Sequence, residues 1–131
     1  MRVVRDKAIE SEVKRIVETL GITYIDVNRV RVVRSYGSKS KAYARIWGLP
    51  KPLRVGLDME VFYVIEIISE SFETLPQEEK LKTLIHEILH IPANFSGGLR
   101  THGKYVNRRK VDQLFKIFVQ RNEGVERHEE L

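Results

Sequence analysis

The sequence predicts one α+β domain: an N-terminal helix, a small, mostly antiparallel sheet of about three strands, a central helix and a C-terminal helix. Three observations predict it. Apolar residues recur at helical spacing over residues 5–20, the period shortens toward two between 24 and 72, and helical spacing returns after 74. The chain has 131 residues, 42% of them apolar, which suits one core and leaves no room for a second. We divide that single domain, 1–131, into an N-terminal helix (1–21), a sheet (22–72), two helices with an intervening loop (74–122) and a frayed tail (123–131).

Each element has a local cause. Ile9, Val13, Ile16, Val17 and Leu20 make one apolar stripe, and Gly21 stops the helix. Val30 and Val32 alternate with Arg29 and Arg31, and the loop Tyr36-Gly-Ser-Lys-Ser40 follows. Ala42 to Trp47 alternates again, with Tyr43, Arg45 and Trp47 on one face, until Pro50 and Pro52 interrupt it as at an edge or loop. Glu60 to Ser69 is rich in β-branched and aromatic residues and is the clearest strand. Thr74 and Gln77 read as a capping box with Pro76 in the first turn, opening a helix that should run to about Ile91 before Pro92. After a loop over 92–103 with Gly97-Gly98, the last helix, about 104–121, turns Val111, Leu114, Phe115 and Phe118 inward.

Composition narrows the function. With no cysteine, disulfide scaffolds, Cys-based zinc fingers, iron–sulfur clusters and thiol catalysis are excluded. No apolar run approaches the ~18 residues of a membrane span, and the first ten residues lack a secretory core; we therefore expect no membrane partner and a cytoplasmic site. The net charge of +5 is unevenly placed. Residues 27–57 hold eight Lys/Arg and no acid, and residues 88–111 hold five more, again with no acid. Such segregation either attracts a polyanion or is an ordinary solvated surface.

The chemistry sits in His86-Glu87-Ile88-Leu89-His90, an HExxH motif. Two histidines four apart differ by about 40° around a helix, so both imidazoles reach one metal ion. Glu87 is about 100° further round from His86, beside such a metal without ligating it, as a general base requires. Leu81, Leu84, Ile85, Ile88, Leu89 and Ile91 surround most of this helix, so its polar groups are costly without partners. Two residues are candidates for a third ligand: His102, at the end of a Gly-containing loop able to fold back over the helix, and Asp112 in the last helix. Ligand preference and placement favour His102. His128, among glutamates in the tail, is read as a bystander.

The stretch from Ile65 through His86-Glu87-Ile-Leu-His90 resembles the strand-plus-helix core of SprT-like zinc peptidases, where a third histidine, often followed by Gly, comes from the next loop; His102-Gly103 matches that placement. The run HEILHIP…FSGGLR-x-HG is closer still to the small metallopeptidases inferred in archaea and their viruses. The resemblance covers about residues 60–118. It implies a minimal zincin-like core, Zn²⁺ on His86, His90 and His102, and Glu87 as the base.

The resulting expectation is a zinc-dependent metallopeptidase cleaving a peptide or protein substrate. The strand around Tyr63–Ser69 would bind substrate backbone by strand addition. Arg45, Trp47, Arg100, Lys104, Tyr105 and Arg109 are candidates for binding substrate or a polyanion, with Tyr105, Arg100 or Arg109 as an oxyanion stabiliser. Tyr36, Tyr43 and Trp47 among basic strands also suit a nucleic-acid backbone and stacked bases. Action on nucleic-acid-associated proteins, a metal-dependent nucleic-acid hydrolase and a non-catalytic zinc-stabilised nucleic-acid-binding module all remain open.

Overall fold

The structure is a computed structural model that describes the backbone of residues 1–130 and the side chains of residues 1–124. Nine elements follow one another: β1 (Arg2–Arg5), α1 (Lys7–Leu20), β2 (Val30–Tyr36), β3 (Ala44–Gly48), α2 (Lys51–Gly56), β4 (Tyr63–Ile68), α3 (Ser69–Phe72), α4 (Gln77–Leu89) and α5 (Arg108–Glu130). A 3₁₀ turn, Val27–Arg29, precedes β2. No helix of the described residues is long and apolar enough to cross a membrane.

The α+β class is as expected, but the sheet has four strands and is mixed, in the order β1-β2-β4-β3. β1 and β3 pair antiparallel with their neighbours, while the central pair, β2 and β4, is parallel, with Val32 opposite Ile65. The chain runs out to the far edge as β3 and then returns to insert β4 beside β2. β4 is therefore paired on both sides, and the expectation that it receives substrate by strand addition is overturned. The free edge beside it belongs to β3.

Strand alternation sorts the side chains. Val30, Val32, Ala44, Tyr63, Ile65 and Ile67 point to one face and are buried beneath α1, α4 and α5. Val13, Ile16 and Val17 of α1, Leu84, Ile85 and Ile88 of α4, and Val111 and Phe118 of α5 complete this core. Each large side chain so buried stabilises the fold by about 1.5–3 kcal/mol. The other face carries Arg45, Trp47, Ser35 and Glu66.

Several local expectations change. β1 was not expected; its residues are all exposed, and its arginines blunt an otherwise adhesive edge. Residues 51–56 form α2 instead of a loop, because Pro52 lies in the first turn, where a missing N–H costs nothing. The capping box at Thr74 does not form: Thr74 Oγ1 donates to the Ser71 carbonyl at 2.6 Å, and Pro76 takes the cap position of α4. α4 ends at Leu89, with His90 as its C-cap. α5 begins four residues later than expected, where Asn107 Oδ1 accepts the Lys110 N–H. The tail expected to be frayed continues α5 through Glu130, and the side chain of His128 within it lies outside the described residues.

Candidate metal centre

α4 enters the core with its apolar residues on most sides and presents Thr83, His86, Glu87 and His90 along the remaining one. These four line a cleft of about 620 Å³ with Ala42–Ile46 of the β3 edge and Leu99–His102 of the following loop. The loop is tied down at several points. Tyr63, fully buried in β4, accepts the Gly97 N–H and donates to the Gly98 carbonyl, both at 2.8 Å. Its ring meets Phe95 edge-on, with centroids 5.0 Å apart. Arg54 donates to the carbonyls of Leu49 and Ser96. The loop also lies directly on the end of β3: a Cβ on Gly48 would fall 2.1 Å from the Gly97 carbonyl oxygen.

This anchoring delivers the third histidine. Nitrogen atoms of His86, His90 and His102 all lie within 4.8 Å of one another, the only group of three or more potential ligands among the described residues. His86 Nε2 and His102 Nε2 are 2.8 Å apart. His90 Nδ1 is 2.5 Å from the Arg100 carbonyl, so this nitrogen donates its hydrogen and the ring's Nε2 is left as a free lone pair. Arg100 N also donates to the His90 carbonyl at 2.7 Å, bracketing the residue from both ends. Burial, and after it the neighbouring His90 and His102, push the His86 imidazole down to about 4, which keeps it neutral and able to ligate. Three imidazoles brought together beside an open cleft fit a zinc ion.

Asp112 is not part of this group. Its Oδ1 lies 3.2 Å from Lys82 Nζ and 3.3 Å from Arg108 Nε, in ionic contacts without a directed hydrogen bond. Of the two candidate third ligands, His102 is the one the fold brings to the site. Glu87 lies on the cleft wall between the ligands and is 6% exposed. Burial with no hydrogen-bond partner among the described residues pushes its carboxyl up to about 7.

The remaining site candidates divide. Arg100 lines the cleft, and its guanidinium stacks on exposed Tyr105, as does Lys104, at 4.7 and 5.5 Å. Arg45 also borders the cleft, but its guanidinium holds Glu66. Trp47 is on the sheet face away from the core, where its Nε1 donates to Glu66 at 2.9 Å, and lines neither cleft nor side cavity. Arg109 is exposed on the first turn of α5 and is likewise outside both. Sequence reasoning missed Tyr63, Glu66 and Thr83. Thr83 stands between the cleft and a side cavity of about 480 Å³ walled by Leu75, Val106 and Val111. The signal for Tyr63 was present: a tyrosine in a core strand needs a partner for its hydroxyl, and Gly97-Gly98 offers one.

A cleft with a histidine triad beside a buried carboxylate is a candidate metal centre. A family model described as "Putative phage metallopeptidase" matches residues 1–127, nearly the whole chain, and the protein belongs to that metallopeptidase family. No curated protein and no solved structure matches it.

Proposed function

We propose that the protein is a zinc-dependent peptidase, related in its core to the SprT-like enzymes and working in the cytoplasm. The observation that carries this reading is the convergence of His86, His90 and His102 within 4.8 Å beside Glu87. When bound there, zinc supplies Lewis-acid polarisation of a peptide carbonyl and acidification of water. Glu87, with its proton affinity raised to near neutrality, takes a proton from the attacking water and gives it to the leaving amine. Ala44–Ile46 of β3 line the cleft, and β3 is the end strand of the sheet, paired on one side only, so this stretch offers an edge for antiparallel pairing with an extended substrate. Arg100 is the cation nearest the ligands in sequence that also lines the cleft, and it is the preferred candidate for stabilising the developing oxyanion.

The test combines elemental analysis with peptide cleavage. One zinc per chain and proteolysis abolished in Glu87→Gln with zinc retained is the expected result. Proteolysis unchanged in that variant would remove Glu87 from the mechanism, and an absence of bound metal at saturating zinc would remove the reading altogether.

A further inference from the structure

The thirteen cations of the two acid-free stretches differ in what they already hold. Arg29 pairs with Asp26 and Glu60, Arg34 with Asp6 and Glu73, Arg45 with Glu66, and Arg108 with Glu79 and Asp112. These four belong to the fold. Of the nine with no carboxylate partner among the described residues, Arg100 lines the cleft, and Lys39, Lys41 and Lys104 lie within three residues of its lining segments Ala42–Ile46 and Leu99–His102. Lys39 and Lys41 are exposed in the loop entering Ala42, at the start of the β3 wall. Arg100 and Lys104 flank His102 on the opposite wall, braced on Tyr105.

Acid is missing from the same place. Glu87 is the one carboxylate among the cleft-lining residues, and it is buried. In the adjoining side cavity Glu79 is engaged by Arg108. The first turn of α5, beside that cavity, carries Arg108, Arg109 and Lys110 and no acid, although the positive end of a helix favours the opposite charge. Arg108 is held there by Glu79 and Asp112, while Arg109 and Lys110 add positive charge to the surface near the side cavity.

Given the peptidase reading, on which this rests, we infer that the cleft selects a carboxylate-rich polypeptide segment. A nucleic acid fits the same charge less well, because two of the three rings proposed to stack on bases are engaged, and Tyr43 alone of the three is left exposed at the cleft. Arg2 lies over the Tyr36 ring at 4.5 Å, and Arg45 lies over Trp47 at 5.3 Å while the indole N–H holds Glu66. The free edge of β3 beside the ligands presents peptide hydrogen-bonding groups, which an extended polypeptide backbone matches and a sugar–phosphate chain does not.

Zinc-loaded Glu87→Gln protein, which binds without turnover, provides the test by fluorescence anisotropy. Labelled peptides of equal length rich in Glu, Gln or Lys are compared with a single-stranded oligodeoxynucleotide. The Glu-rich peptide should bind roughly tenfold more tightly than the Gln-rich one at low salt, with the difference nearly gone at about 1 M salt. The triple variant Lys39→Gln/Lys41→Gln/Lys104→Gln, made in the same background, should lose that preference and keep its zinc. Equal binding of the Glu- and Gln-rich peptides, or tighter binding of the oligodeoxynucleotide than of the Glu-rich peptide, would overturn the inference. Wild-type cleavage of a mixed peptide pool separates the two levels. Cleavage with no preference for acidic sequences overturns the inference and keeps the peptidase. Acid-selective binding with no cleavage keeps the acidic-segment cleft and removes the peptidase.

Discussion

Glu66 and Glu87 are buried to nearly the same degree, 5% and 6% exposed, yet the two regions that hold them treat a carboxylate in opposite ways. On the sheet face away from the core Glu66 receives Ser35 Oγ at 2.5 Å, Arg45 Nε at 2.8 Å and Trp47 Nε1 at 2.9 Å. Burial raises its pKa, but the hydrogen bonds from Arg45, Ser35 and Trp47 outweigh burial and hold the carboxyl below its ordinary range. In the cleft Glu87 meets burial alone and rises to about 7. The first carboxylate is a knot joining β2, β4 and β3. The second faces the cleft with no protein partner among the described residues, where a raised proton affinity is of use.

The largest effect that tests this contrast is on catalysis. Glu87→Gln is expected to lower peptide cleavage by roughly 10²- to 10⁴-fold with zinc content unchanged, whereas Glu66→Gln should leave the rate per folded molecule within about threefold, as for a residue with no part in proton transfer. Equal losses in the two variants would erase the distinction. Next in size is the metal itself. His102→Ala should empty the site at zinc concentrations that saturate wild type, and Asp112→Ala should not, as elemental analysis after gel filtration would show. Retained zinc in His102→Ala would mean that the anchored loop does not supply the third ligand.

The two carboxylates should also shift stability with pH in opposite senses, measurable by urea denaturation of zinc-stripped protein. Glu66 has a lowered folded pKa. Its contribution is present above the ordinary carboxylate range and is lost as pH falls through the folded value. Glu66→Gln should therefore cost about 1–3 kcal/mol at neutral pH and progressively less in acid. Glu87 has a folded pKa raised from 4.5 to about 7. Its penalty is absent below about 4.5, grows as the unfolded chain ionises, and is complete above about 7, where it amounts to about 3 kcal/mol. Glu87→Gln should accordingly stabilise the stripped protein at pH 8 and do nothing at pH 4. Parallel pH profiles would contradict the contrast.

The same contrast marks what was legible in the sequence. The placing of His86, Glu87 and His90 on one side of α4 was readable because helical geometry fixes it within five consecutive residues, and the grouping of His102 with the two histidines is the one that ligand preference favoured over Asp112. Glu66 was not readable, because its donors come from β2 and β3 and depend on the register that places Arg45 opposite it. Without that register Arg45 and Trp47 look like free polar and aromatic groups on a strand, so they were read as binding residues. The parallel pairing of β2 with β4 was hidden for a similar reason: alternation identifies a strand but not its neighbours. α1 was legible from its stripe and Gly21, which takes the left-handed cap at φ 67°. α2 was masked by its prolines, and β1 is too short and exposed to show a pattern.

The smallest predicted effect asks how far the rigidity of the sheet reaches into the cleft. Tyr63 belongs to the same strand as Glu66, but its side chain points to the core, where its hydroxyl bridges Gly97 and Gly98, four residues before His102. Tyr63→Phe keeps the ring and its contact with Phe95 while leaving two backbone groups without that partner. The loop should then hold His102 less firmly and weaken zinc binding by roughly tenfold, the lower end of effects seen for groups that orient metal ligands. Val13→Ala, on the core-facing side of α1, should destabilise the fold by a comparable amount and leave zinc affinity unchanged. Chelator competition on both variants separates the two. If they lose zinc equally, affinity follows global stability, and β4 supports the metal centre only as any core strand would. If Tyr63→Phe alone loses it, one strand serves both regions, with Glu66 fixing the sheet from one face and Tyr63 setting the third ligand from the other.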